Sequence, residues 1–234
     1  LPKEEFEVII VDDGSKDNSS LIVEKFMNEN NYNIKLIKQE NHGVSNARNN
    51  AIKSSSYSLI ALIDSDDIWL EGKLNDQLRI MEKYSADFVG TLHNNLQLGF
   101  PYKLEGEIFQ VSLRKLLIKM APSTITALFK KSLIEKAGYY DESQKYTEDG
   151  NLWLRFSMNG KMLILNKNYA VAGDYKPLFG HSGLSGNLKG MYDGELKNLK
   201  DIYKLKYINF LQYVFYRFYT TLKYYRRILI DKVR

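Results

Sequence analysis

FEVIIVDDGSKDNS, residues 6–19, reads as a strand that runs straight into a turn. Residues 6–11 are an apolar, β-branched run of strand length interrupted only by Glu7, the pattern of a strand covered on both faces. Asp12, Asp13, Gly14 and Ser15 end it with residue types that bond nearby backbone or tolerate left-handed φ. A helix is predicted from about residue 18, capped by Asn18 or Ser19, with Leu21, Ile22, Lys25 and Phe26 along its inner face. Residues 33–37 (NIKLI) return as a strand, 43–54 form a short helix, and 57–63 (YSLIALI) form a third buried strand. Strand, helix, strand, helix, strand is the α/β pattern.

Outward from this core, a helix over 72–84 and a strand over 87–92 continue the alternation, and 94–107 reads as loop. The second half is less regular: a strand at 124–129, a helix capped by Thr147 and running to about 157, and short strands at 162–165 and 169–172. Residues 173–190 hold five glycines and Pro177, a loop long enough to serve as a lid. A sheet of this kind rarely opens on a buried central strand at residue 6, so a further strand is expected N-terminal to residue 1.

The chain has 234 residues and no Cys; 44% are hydrophobic and 26% charged. That composition fits one globular domain with an appendage and excludes disorder along the whole length. Without Cys there is no thiolate nucleophile and no Cys-based zinc site, and His42, His93 and His181 are too few for an all-His centre. A bound metal is therefore expected on oxygen ligands. The net charge of +5 is uneven: residues 203–234 sum to +7, leaving −2 on the other 202. A near-neutral body with one basic end argues against a nucleic-acid partner.

In α/β sheets ligands gather beyond the carboxyl ends of strands. Two acidic clusters fall there, Asp12-Asp13 after the first strand and Asp64-Ser65-Asp66-Asp67 after the third. Several carboxylates on one turn suit a hard divalent cation that keeps most of its coordination for water and phosphate oxygens; the plainer reading is that they shape the turn. Asn41 to Asn49 (NHGVSNARN) carries Gly43 at a tight helix entry and Arg48 one turn inside. A helix N-terminus with an Arg beside acidic clusters suits a phosphorylated ligand, although Arg48 taken alone reads as a surface residue. Glu148-Asp149 taken alone is favourable charge at a helix start, and Trp153 and Arg155 on that helix read as packing and a salt bridge or as an acceptor pocket.

VIIVDDGSKDNS, NHGVSNARNNAI, LIDSDDIW and YTEDGNLWLRF, in this order between residue 8 and residue 156, resemble the motifs of family 2 glycosyltransferases of the GT-A fold. The resemblance implies a Rossmann-like mixed sheet flanked by helices over 1–190, followed by a basic, Tyr-rich helical extension over 191–234. It implies an inverting transferase that moves one sugar from a nucleotide-diphosphate donor, a UDP-sugar by preference, to a glycan or lipid-linked glycan. Donor contacts fall to Asp12, Asp13, Ser15, Arg48, Asp64 and Ser65, with Mg²⁺ or Mn²⁺ on Asp66 and His181. Asp149 is then the general base, with Glu148 beside it. The family's usual opening strand with its Pro-x-Tyr-Asn type turn is not seen, nor is the Gln-x-x-Arg-Trp motif of processive synthases. A nucleotidyltransferase, or a non-catalytic membrane-associated scaffold on a degenerate transferase domain, are the alternatives.

Residues 203–234 interleave aromatic with basic side chains. The apolar run 208–219 is shorter than the roughly 20 residues a spanning helix needs, so in a protein expected to be cytoplasmic this segment either lies on a membrane surface, at the inner face of the plasma membrane, packs as a helical pair with its aromatic face on the main domain, or pairs with a second copy of the chain.

Overall fold

The computed structural model describes residues 1–175 and 183–233. It is a mixed α/β fold, as expected, with the strands in two sheets. β1 (Val8–Asp13) and β2 (Ile34–Gln39) pair in parallel as a two-stranded sheet, with α1 (Ser19–Glu29) between them in the chain. α2 (Val44–Ser54) packs on β1 and leads to β3 (Leu59–Ala61). β4 (Ile68–Trp69), α3 (Lys73–Lys83), β5 (Phe88–His93), β6 (Leu104–Glu105), β7 (Ile108–Val111), α4 (Leu113–Ile118), β8 (Leu128–Lys130), α5 (Lys131–Ala137), α6 (Glu148–Asn159) and β9 (Met162–Val171) follow. The larger sheet runs β3-β8-β5-β9-β7-β6, with β4 on the far half of β9. β5 is its centre: every residue is buried, and it pairs antiparallel with β8 and parallel with β9.

The core forms where α6 lies on this sheet. Trp153 is fully buried, with its ring edge-on to Phe88 at 5.1 Å, and Phe156 meets Phe129 at 5.1 Å. Gln77 of α3 is also buried and donates to the carbonyls of Val89 and Thr126. An amide whose donors are satisfied in this way can sit in an apolar layer without the usual burial penalty.

Several expectations are corrected. β1 is not a buried strand: none of its residues is buried, and among the described residues only β2 pairs with it. The face of α1 expected to turn inward is the outer one: Leu21, Ile22 and Phe26 are exposed, while Val23 and Met27 are half-buried. Residues 124–126 make a 3-10 turn before β8, because Thr126 returns both its amide and its hydroxyl to the Ser123 carbonyl. The two strands expected over 162–172 are one; the polar residues Asn166 and Lys167 that interrupt the apolar pattern are exposed within it. The loop at 94–107 includes β6.

The expected lid is only partly described. Residues 184–186 form a 3-10 turn, and Gly190 already belongs to α7 (Leu188–Lys204), which pairs with α8 (Phe210–Val233). His181 lies outside the described residues.

Candidate active site

α2 is amphipathic in an unusual sense. Ser45, Asn49 and Ile52 are buried at helical spacing, and Arg48 shares their face. The end near the acidic turns is therefore polar and the far end apolar. Gly43 at its N-cap has φ +89°, a conformation other residues adopt only with strain. That geometry turns the amides of His42 and Gly43 onto the Asp13 carboxylate at 2.9 and 2.8 Å, and Gln39 Nε2 donates to it at 2.7 Å. Asp12 accepts from the Ser15 amide at 2.7 Å and from the Ser20 hydroxyl. Those two donors, Ser20 foremost, hold the Asp12 carboxyl down at about 2. Both carboxylates thus fix the turn after β1, and each retains acceptor capacity, since a carboxylate offers about four lone-pair sites.

Arg48 is the junction of the site. It donates to both oxygens of Asp64 at 2.8 and 2.9 Å and to Glu148 Oε1 at 2.9 Å. Its guanidinium lies 5.6 Å from the centre of the Tyr140 ring. Burial opposes its charge, but Tyr140, Asp64 and Glu148 outweigh burial and raise its pKa above the ordinary value. The surface reading of Arg48 is therefore wrong: it joins the turn after β3 to the start of α6. Asn46 and Asn49 extend the seam, both donating to Glu142 at 2.8 Å, while the Asn49 side chain also donates to the Tyr140 carbonyl and accepts from the Tyr140 amide.

Glu148 is 7% exposed and Asp149 is half-buried. Burial, then the neighbouring Asp149, pushes Glu148 up to about 7 against the pull of Arg48. Asp149 is also raised by burial, with Arg48 and the Gly150 amide opposing. One guanidinium balances only one of three carboxylates, so the Glu148–Asp149 pair holds a proton more readily than either residue alone. A raised pKa in the folded state means that folding takes up a proton. The stabilisation is full below pH 4.5 and is lost as pH rises through about 7. Glu148→Gln is expected to remove on the order of 2–3 kcal/mol of pH dependence across that window, read from denaturant unfolding at each pH.

Ser65 and Asp66 are exposed on the turn after β3. Asp67 accepts from the Gly173 amide at 2.9 Å, tying that turn to the segment after β9. The structure thus joins Arg48, Asp64, Glu148 and Asp149 in one cluster and leaves Asp12, Asp13 and Ser15 in a neighbouring turn. Of the two readings given to α6, Trp153 follows the packing one and is fully buried in the core. In place of the expected salt bridge, Arg155 donates to the carbonyls of Ala137, Gly138 and Tyr139, closing the end of α5.

Sequence reasoning missed what holds this cluster in place. Thr147 precedes Glu148 in a left-handed conformation, φ +55° and ψ 30°, and its side chain caps nothing. Its carbonyl and hydroxyl accept from Asn198 of α7 and from Gln144. Gly194 lets α7 approach, since a Cβ there would lie 2.5 Å from Thr147 Oγ1 and from the Tyr146 carbonyl. Gly190 and Gly194, one helical turn apart, were the available signal. Gly194→Ala is expected to cost about 1–3 kcal/mol in thermal unfolding, whereas Gly99→Ala, which meets nothing within 4 Å, stays within about 0.5 kcal/mol. A cavity of about 260 Å³ between α6 and α7, lined by Tyr139, Arg155 and Asn198 among others, is bordered by none of Arg48, Asp64, Glu148 and Asp149.

Comparison with known proteins finds glycosyltransferases. The chain is 27% identical over 186 residues to the Escherichia coli UDP-Glc:alpha-D-GlcNAc-diphosphoundecaprenol beta-1,3-glucosyltransferase WfgD, covering 78% of this chain and 69% of that one. It is 28% identical over 180 residues to the Staphylococcus aureus poly(ribitol-phosphate) beta-N-acetylglucosaminyltransferase TarS, covering 74% of this chain and 31% of TarS. It spans only 25% of an uncharacterized Rickettsia bellii glycosyltransferase. In fold it matches the structure of S. aureus TarS 1–349 in complex with UDP-GlcNAc, with TM-score 0.68 at 24% identity over 86% of this chain and 59% of that one. It also matches the Pyrobaculum calidifontis mannosyltransferase PcManGT in complex with GDP-Man and Mn2+, with TM-score 0.65 at 15% identity over 87% and 56%. Residues 1–156, which hold every clustered residue above, match the model of glycosyl transferase family 2, and the chain belongs to that family of enzymes.

Proposed function

We propose that the chain moves one sugar per encounter from a UDP-sugar to a hydroxyl of a glycan or lipid-linked glycan, inverting the anomeric carbon. The observation that carries this reading is the Arg48 junction, which locks the donor-side turn to the helix that begins Glu148-Asp149. Asp149 takes the acceptor proton as the hydroxyl attacks. Arg48 holds Glu148 and Asp64 in register behind it, and Asp64 is left half-buried to meet the donor ribose. Asp12, Asp13, Ser15 and Ser65 shape the nucleotide end. WfgD by its name uses UDP-Glc on a diphosphoundecaprenol acceptor, and TarS is solved with UDP-GlcNAc; both support a UDP donor and an acceptor of the bacterial envelope.

Asp66 fits a divalent cation in one particular way. It is exposed at the mouth of the turn, and among the described residues no three His, Asp or Glu side chains gather as a ligand set. One or two protein oxygens with phosphate and water completing the shell is what Mg²⁺ or Mn²⁺ accepts. Held there, with His181 as the second protein ligand, the ion would neutralise charge on the leaving diphosphate. PcManGT, solved with Mn2+, supports the ion. Among the described residues no helix is long and apolar enough to cross a membrane, and we place the enzyme on the inner surface of the plasma membrane, where a lipid-linked acceptor is presented.

The test is calorimetric titration of UDP and of GDP, with Mn²⁺ and with EDTA. UDP is expected to bind in Mn²⁺ and to weaken by about tenfold or more in EDTA or in Asp66→Ala. UDP binding indifferent to both would remove the metal from the account, and absence of UDP binding would remove the donor assignment.

A further inference from the structure

We infer that the outward face of α8 is a docking surface for an anionic lipid bilayer. The helix has two faces. On the inner one, Tyr216 and Thr220 are buried, Tyr224 stacks on Tyr192 at 4.5 Å, and Lys223 and Arg227 both pair with Glu195 of α7. On the outer one, Leu211, Phe215, Phe218, Leu222, Tyr225 and Leu229 are each 51–77% exposed. Their steps of four and three residues alternate, so they form one continuous stripe about 27 Å long. A soluble surface rarely leaves an apolar row of that length uncovered.

The spacing alone also suits a second copy of the helix; charge decides between the two. The positions flanking the stripe carry Gln212, Val214, Tyr219, Thr221, Arg226 and Ile228, with no acid among them. Arg217 and Arg226 are exposed with no acidic partner among the described residues, and Asp231 is the only acid in α8. Two copies packed through this face would set cations together with nothing to neutralise them. An anionic bilayer supplies the complement: Leu and Phe enter the acyl boundary, Tyr225 sits at the interface, and Arg226 and Lys232 reach the phosphates. The turn ahead of α8 extends the same chemistry, with Lys204, Leu205, Lys206 and Tyr207 all exposed. α7 links this surface to the site, because its Asn198 holds Thr147 next to the catalytic pair. The inference deepens the surface location proposed above and rests on it for its purpose; its own readout needs no transfer reaction.

The test is flotation of the full chain with phosphatidylcholine vesicles, with and without phosphatidylglycerol, across a salt series. Binding is expected to require the anionic lipid and to fall as salt rises. Arg226→Gln with Lys232→Gln is expected to weaken it about 25-fold, at roughly a factor of five per cation. Phe215→Ser with Phe218→Ser and Leu222→Ser is expected to weaken it by a similar factor, with helix content checked by circular dichroism. Failure of the wild-type chain to float with anionic vesicles, equal binding to neutral ones, or binding that survives the serine variant overturns the inference. So does a vesicle-free dimer that the serine variant abolishes, which would assign the face to a second copy. UDP titration of the same samples reads the donor site separately, so the surface and the transferase reading fail independently.

Discussion

Asp149→Asn is expected to lower kcat for sugar transfer by on the order of 10²–10⁴-fold while UDP affinity stays within about twofold. The substitution keeps the shape of the side chain, and its carbonyl oxygen can still accept from the Gly150 amide, which lies 2.6 Å from Asp149 Oδ1. What it removes is basicity. Asp149 is half-buried beside Glu148, and burial raises its pKa above the ordinary Asp value. A raised pKa makes it a better proton acceptor once ionised, and it moves the acid limb of the rate profile upward. Turnover should therefore fall as pH drops through that raised pKa, at a higher pH than an exposed Asp would show. If Asp149 served only as negative charge at the N-terminus of α6, the variant would lose about 0.3–1 kcal/mol of stability and keep its turnover.

Arg48→Met is expected to have the largest effect on stability, about 3–5 kcal/mol at neutral pH. Among the described residues the arginine is the only cation bonded to Asp64 and Glu148, and its removal leaves the buried Glu148 and the half-buried Asp64 without a counter-charge. Protonation relieves such a cluster, so the loss is expected to shrink toward pH 5 and to be greatest above pH 7, where Glu148 would otherwise ionise. Urea unfolding at the two pH values checks the sign. Arg48→Lys should recover only part of the loss, because one ammonium cannot present the fork that spans both acids. A loss independent of pH would mean that Arg48 acts through packing on Tyr140.

The sequence makes the chemistry more legible than its support. The two acidic turns, the helix that carries Arg48 and the Glu148-Asp149 step can be read because each is a local pattern of a few residues with its own backbone preference. Arg48 was misjudged as a lone residue because its partners lie 16 and 100 positions away. Thr147 illustrates the same limit: a Thr before Glu-Asp reads as an N-cap, yet Asn198 and Gln144 engage its hydroxyl and the local rule gives way. Trp153 and Arg155 look functional by type and are structural by position, since the Phe88–Phe129 layer and the end of α5 reach them first. The pairing of β1 was the least legible feature. An apolar strand states that it wants neighbours and does not state which edges they occupy.

In the proposed mechanism a carboxylate at residue 149 drives an in-line displacement at the anomeric carbon of a UDP-sugar. Following donor hydrolysis by proton NMR in the absence of acceptor tests it most directly, because the anomer released first can be seen before it mutarotates. With α-linked UDP-glucose or UDP-N-acetylglucosamine and Mn²⁺, the β-anomer is expected to appear first, and Asp149→Asn is expected to suppress its release. First appearance of the α-anomer, or release of the β-anomer at an undiminished rate by the variant, would contradict it.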